Sequence, residues 1–201
     1  MIDIVAWSGG YDSTLVLDRL CSAGDKNVWA FALDWDMVNE LKRKQENFSR
    51  INYKKYAESR GYSFCYNTIT ISADMSAANI GRPQAMAWLC FISPYLPQES
   101  TIHFGYHRGD DFWGSRSLAD QLLQSAAVLG ERKVMIQYPL ELMRKYEIVT
   151  EFNQRGISSL CAWSCEDPVV RGKEVRPCGK CTPCISLKLA KYESNLRVPS
   201  K

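Results

Sequence analysis

The stretch Ile2-Asp3-Ile4-Val5-Ala6-Trp7-Ser8-Gly9-Gly10-Tyr11-Asp12-Ser13-Thr14 passes from a short apolar run, through a Ser-Gly-Gly turn, into Asp-Ser-Thr. Leu15, Val16, Leu17 and Leu20 follow and supply the apolar face of a helix, so the segment reads as buried strand, loop and helix. The junction is a ready anion site. Gly9 and Gly10 admit an anion close to the backbone, Ser8, Ser13 and Thr14 offer hydroxyl donors, and the helix N-terminus adds unpaired N–H groups and positive dipole. The loop has no Lys, so it is not the G-x-x-x-x-G-K-[ST] motif, which argues against a kinase or GTPase. The blander reading is a strand-to-helix turn with Asp12 as N-cap.

Downstream, Val28–Leu33 reads as a second buried strand and residues 38–60 as a long helix rich in Lys, Arg and Glu. Ser63–Thr70, Thr101–Tyr106 and Val134–Tyr138 read as further strands, with helices over Pro83–Tyr95 and Ser117–Leu129. Strands alternating with helices predict an α/β fold, Rossmann-like, with a five-stranded parallel sheet and helices on both faces. Ligands then bind beyond the carboxyl ends of the strands, where strand order reverses. Ser8–Thr14, Asp34–Asp36, His107–Arg116 and Pro139–Lys145 all project from that edge. We expect a nucleotide-binding domain over residues 1–157 and a small C-terminal segment over 158–201, dense in Cys, Pro and Gly with little core-like periodicity.

The 25 basic and 22 acidic residues give a net charge of +3, which favours no extended nucleic-acid face, and a small substrate fits better. No run approaches the roughly 18 apolar residues that span a bilayer and no leader pattern opens the chain, so a cytoplasmic protein is expected. A homodimer is compatible with the sequence.

Eight cysteines in such a chain argue for reduced thiols or a metal rather than disulfides. Cys21, Cys65 and Cys90 sit in apolar contexts and are expected in the core. Cys178-Gly-Lys-Cys181-Thr-Pro-Cys184 presents C-x₂-C-x₂-C spacing, with Cys165 upstream completing four thiolates for tetrahedral zinc. An iron–sulfur cluster and thiol redox chemistry are the competing readings. Cys161 is read as a bystander.

Ser-Gly-Gly-x-Asp-Ser/Thr is the pattern of the PP-loop ATP pyrophosphatases, which resemble the adenine nucleotide alpha hydrolases and split ATP between its α and β phosphates. Together with Trp163-Ser-Cys165 and Pro177-Cys-Gly-Lys-Cys-Thr-Pro-Cys184, it resembles the QueC-like family, the 7-cyano-7-deazaguanine synthases. Gly81-Arg82, Gly105-Tyr-His-Arg-Gly-Asp110 with Arg116 downstream, and Pro139-Leu140 followed by Lys145-Tyr-Glu147-Ile148 are similar to motifs of that family in the same order.

The resemblance implies an ATP-dependent ligase that joins ammonia to 7-carboxy-7-deazaguanine and dehydrates the amide to a nitrile. Ser8, Gly9, Gly10, Ser13 and Thr14 would hold pyrophosphate, and Asp12 would help position Mg²⁺. Arg82 and Lys145 would neutralise phosphate charge, with Leu33 and Asp34 beside adenine. His107, Asp110 and Arg116 would face the acyl substrate, and Cys165, Cys178, Cys181 and Cys184 would bind Zn²⁺. Blander readings make Arg82 and Lys145 solvated helix charges, Asp110 a cap and His103 a packing residue, while Trp7, Trp35 and Trp113 are either core or purine-stacking. Where the family carries Asp-Tyr-Gly-Gln and a nearby His, this chain has Asp34-Trp35-Asp36-Met37, and the substrate segment after Asp110 is shortened. A reaction that stops at the amide, or uses another carboxylate, is one alternative. A PP-loop sulfurtransferase acting on tRNA and a non-catalytic zinc module are the others.

Overall fold

A computed structural model describes residues 1–24, 27–35, 39–71 and 84–197. Arg82, Gly81, Asp36 and Met37 lie outside the described residues. Five strands form one parallel sheet: β1 (Ile2–Ala6), β2 (Val28–Trp35), β3 (Cys65–Ile71), β4 (Glu99–His103) and β5 (Lys133–Gln137), in the order β3-β2-β1-β4-β5. The helices are α1 (Tyr11–Ser22), α2 (Glu40–Ser59), α3 (Gln84–Ile92), α4 (Arg116–Leu129), α5 (Lys145–Gln154) and α6 (Thr182–Arg197). The order reverses between β1 and β4, so the crevice opens beyond Ala6 and His103.

Alternation along β1 divides the core. Val5 and Trp7 point to one face, where α1, α2 and α5 cover them with Leu15, Tyr53, Ile148 and Phe152. Ile4 and Ala6 point to the other, beneath Leu89 and Ile92 of α3 and Ala119 and Leu123 of α4. Trp7 is therefore core and not a stacking platform: it is fully buried, meets Tyr53, Phe64 and Tyr66 edge-on, and its Nε1 donates to Thr14 Oγ1 at 3.0 Å. Cys21 is buried and Cys90 partly so, but Cys65 is exposed. It starts β3, which among the described residues has a neighbouring strand on one side only and is largely open to solvent. His103 is a packing residue, buried with its Nε2 2.7 Å from Asp3 Oδ1 on the adjacent strand.

Two expectations about regular structure change. The fourth strand stops at His103 rather than at Tyr106, because the chain there must pass the N-terminus of α1. A Cβ on Gly105 would lie 2.7 Å from Ser13 N and 2.9 Å from the Asp12 carbonyl carbon, so only glycine lets the two backbones meet. The C-terminal tail also holds more structure than its periodicity announces. A hairpin, β6 (Val169–Arg171) with β7 (Glu174–Arg176), precedes the sixteen-residue α6. Ala190 of α6 joins the core, and Ser194 Oγ lies 2.8 Å from Thr150 Oγ1 of α5. The inward stripe of α6 is Leu187, Ala190 and Ser194, whereas Ile185, Leu189, Tyr192 and Leu196 are exposed, so a search for one apolar face misses it.

Gly105→Ala is expected to destabilise the protein by about 1–3 kcal/mol through this backbone overlap, measured as a shift of the urea midpoint. An unchanged midpoint would mean that the approach of β4 to α1 is not tight.

Candidate active site and metal centre

Gly10 is the N-cap of α1, so the amides of Tyr11, Asp12 and Ser13 lie in its first turn, and Asp12 and Ser13 line the crevice. Gly9 has φ +89°, and a Cβ there would meet the Glu46 carbonyl oxygen at 3.0 Å, which makes glycine obligatory on two counts. Ser8 Oγ accepts from Gly10 N at 3.2 Å and lies 3.0 Å from Ser13 Oγ. The loop is further held from outside. Arg50 Nη1 on α2 donates to the Ser8 carbonyl at 2.8 Å, and the Trp163 amide donates to the Gly9 carbonyl at 2.8 Å. The carbonyls are thus engaged outward, leaving the amides and hydroxyls for an anion. Thr14 differs from the other loop residues: it is fully buried and its hydroxyl is taken by Trp7.

Asp12 and Lys145 meet across the crevice, Nζ to Oδ2 at 2.5 Å. Lys145 is the first residue of α5, and Glu147 fixes that start by accepting from Arg144 N at 2.6 Å. Two buttresses set α5 against α1. Arg19 grips Glu151 through two hydrogen bonds of 2.9 and 2.5 Å, and Arg155 binds Asp18 at 3.0 Å and Glu151 at 2.8 Å. The other carboxylate oxygen of Asp12, Oδ1, is buried with no hydrogen-bond partner among the described residues. An orphaned anionic oxygen beside an anion-binding loop fits a cation such as Mg²⁺.

His107 and Asp110 lie on the same cavity wall. Asp110 Oδ2 accepts from His107 N at 2.7 Å and its Oδ1 is 3.3 Å from His107 Nε2, while His107 Nδ1 faces the Arg108 carbonyl at 2.9 Å. Burial pushes the Asp110 carboxyl above the ordinary range, and the His107 amide and ring oppose the shift. Arg116 stands apart from this wall. It lies over Trp113 and Tyr138 and pairs with Glu141 at 2.8 Å. Trp113 is tied to the His107 carbonyl through Nε1 at 2.9 Å and packs on Phe112 and Tyr138. Asp34 pairs with Arg43 at 2.9 Å, and Leu33 packs into the second core.

The four predicted cysteines converge: the sulfurs of Cys165, Cys178, Cys181 and Cys184 all lie within 4.8 Å of one another. Tetrahedral zinc at about 2.3 Å from each sulfur needs sulfurs roughly 3.8 Å apart, so the cage suits one ion and is tight for a cluster. The β6–β7 hairpin doubles the chain back and returns Cys178 to Cys165, which explains the long gap in the spacing. Amides of Lys180 and Cys181 point at Cys178 Sγ from 3.5 and 3.3 Å and lower that thiol to about 6. Burial raises Cys165 and pushes Cys184 up to about 12, a cost that a bound cation reverses. Cys161 is buried elsewhere and takes no part, as expected.

The two sites share one space. A cavity of about 810 Å³ is lined by Ser8, Asp12 and Ser13 from the loop and by Trp163, Lys180, Cys181 and Thr182 from the cysteine segment, with Lys145, His107 and Asp110 between them. Its size is within the range of about 300–1,000 Å³ for small-molecule sites. Lys42, Glu46 and Glu166 complete the wall and were not singled out in the sequence, although Lys42, Glu46 and Arg50 recur at helical spacing on α2.

Residues 102–195 match the family model described as Queuosine biosynthesis protein QueC. No curated protein matches the chain.

Removing the metal should loosen the loop, since Trp163, which holds Gly9, is itself fixed by its Nε1 donating to the Cys165 carbonyl at 2.9 Å. Chelation, or Cys181→Ser, is expected to speed amide exchange at Trp163 by about tenfold or more, through loss of a folded support. Unchanged exchange in metal-free protein would show that the loop is held independently of the cysteines.

Proposed function

We propose, from the premise that the chain is of a QueC-like family acting in queuosine biosynthesis, that it is an ATP-dependent carbon–nitrogen ligase of the cytoplasm converting 7-carboxy-7-deazaguanine and ammonia to 7-cyano-7-deazaguanine. The observation that carries this reading is the single cavity lined from both the pyrophosphate loop and the four-cysteine segment, with Asp12 and Lys145 facing each other across it.

A carboxylate oxygen leaves carbon poorly. Attack of the substrate carboxylate on the α-phosphorus of ATP releases pyrophosphate and forms an acyl adenylate. Ammonia then attacks the acyl carbon, AMP departs with the former carboxylate oxygen, and an amide results. A second ATP adenylates the amide oxygen, and loss of AMP and the remaining nitrogen protons gives the nitrile. Each round moves negative charge onto departing pyrophosphate, which preorganised donors stabilise without reorganisation.

The residues divide this work. The amides of Asp12 and Ser13 and the hydroxyls of Ser8 and Ser13 receive the pyrophosphate, while Gly9 and Gly10 keep side chains out of its way. Lys145 lies within reach of the same phosphates and exchanges part of its pairing with Asp12 for them as charge develops. Asp12 is the residue that would hold Mg²⁺ through its unpartnered oxygen, and the ion would supply charge neutralisation of the phosphates. The four cysteines would hold Zn²⁺, and with four protein thiolates as ligands the ion would serve structure. His107 and Asp110, near Asp12 and Lys145 in the same cavity, orient the reacting carboxylate and accept ammonia protons.

Incubation with 7-carboxy-7-deazaguanine, ammonium, ATP and Mg²⁺ should yield the nitrile, or the amide if the second round fails, by mass spectrometry. Neither product from folded, zinc-loaded protein would overturn the substrate assignment. Asp12→Asn and Lys145→Met should each lower pyrophosphate release by about 10²–10³-fold with little change in melting temperature. Full activity in either variant would remove that residue from phosphate chemistry.

A further inference from the structure

Lys42, Glu46 and Arg50 form one stripe of α2 turned toward the loop. Arg50 serves the loop backbone, as described above. Lys42 lies 3.6 Å from Glu46 and also contacts Glu166, and both Lys42 and Glu46 line the cavity with side chains only 12 % and 16 % exposed. Nothing in the adenylation uses either residue. A buried ion pair is a poor means of stabilisation unless its geometry is close and its remaining lone pairs are satisfied. This one is loose. Lys42 Nζ is 3.6 Å from Glu46 Oε1, longer than a hydrogen bond, which leaves this cavity-lining carboxylate room for a further donor; burial and the nearby Glu166 push it above the ordinary range despite the Lys42 and Arg50 cations.

A carboxylate is best satisfied by two parallel N–H donors in one plane. The pyrimidinone ring of a 7-deazaguanine presents such a pair, N1–H and the 2-amino group. The adenine edge of ATP offers one donor beside one acceptor and matches a carboxylate less well. The pyrophosphate loop, Lys145 and Asp12 account for the phosphate side of the cavity, and Glu46 lies on a different element. We propose that Glu46, positioned by Lys42, binds the N1–H and 2-amino edge of the deazaguanine substrate and is the residue that selects this ring. The inference rests on the ligase reading above.

The test compares 7-carboxy-7-deazaguanine with its analogue lacking the 2-amino group, on the zinc-loaded full chain and on Glu46→Gln. The native protein should bind the parent compound about 10–100-fold tighter than the analogue, the range for one hydrogen bond to a charged group. Glu46→Gln should weaken the parent by a similar factor and lose discrimination between the two, with zinc content and the KM for ATP unchanged. Equal binding of parent and analogue by the native protein overturns the proposal even if the variant does not fold. Retained discrimination in Glu46→Gln also overturns it, as does a raised KM for ATP or a raised Mg²⁺ requirement, which would place Glu46 at the nucleotide. Native protein that cleaves ATP and binds neither compound removes the substrate reading itself, an outcome distinct from loss of the Glu46 assignment alone.

Discussion

The hydrogen bond from the Trp163 amide to the Gly9 carbonyl is the contact on which the rest of the site depends. The Ser-Gly-Gly turn could orient its peptide groups in several ways, since two of its three residues are glycines, and of these Gly9 takes positive φ. Fixing the Gly9 carbonyl outward, with Arg50 fixing that of Ser8, commits the following amides to the crevice. Trp163 stands two residues before Cys165. The four-cysteine cage in the tail and the Ser-Gly-Gly loop at the start of the chain are therefore one mechanical unit, joined through the tripeptide Trp163-Ser164-Cys165.

This coupling explains a fold that otherwise looks wasteful. The β6–β7 hairpin and α6 bury little apolar surface of their own, and small elements of that kind need a staple. Four converging thiols provide one. The segment in turn walls the cavity with Lys180, Cys181 and Thr182 and meets α2 through Glu166 and Lys42. Loop, helix α2 and cysteine segment thus enclose the ligand space from three directions, with β4 and its Gly105 crossing closing the floor.

Much of this was legible from residue patterns. Alternating strands and helices gave the parallel sheet, the Ser-Gly-Gly-Tyr-Asp-Ser stretch gave the strand-loop-helix turn beside the cavity, and the C-x₂-C-x₂-C spacing gave three members of the thiol cage. Cys165 came within reach only through a hairpin whose short strands carry little periodicity. Lys145 was pointed to by a resemblance, because its partner Asp12 is far away in sequence and nothing local marks the pair. The wall made by Lys42 and Glu46 was hidden in a helix rich in charges, where a functional stripe and a solvated face have the same spacing. Helix α6 was missed for the opposite reason: it packs Leu187, Ala190 and Ser194 inward while Ile185, Leu189, Tyr192 and Leu196 stay exposed, so apolar residues fall on both sides of it.

The loop is proposed to serve cleavage of ATP between the α and β phosphates, with the cysteine segment holding it in shape. Phosphorus NMR of ATP incubated with the zinc-loaded protein, Mg²⁺, ammonium and 7-carboxy-7-deazaguanine reads the bond broken directly. The prediction is AMP and pyrophosphate, formed only when the carboxylate is present. ADP and inorganic phosphate would contradict it.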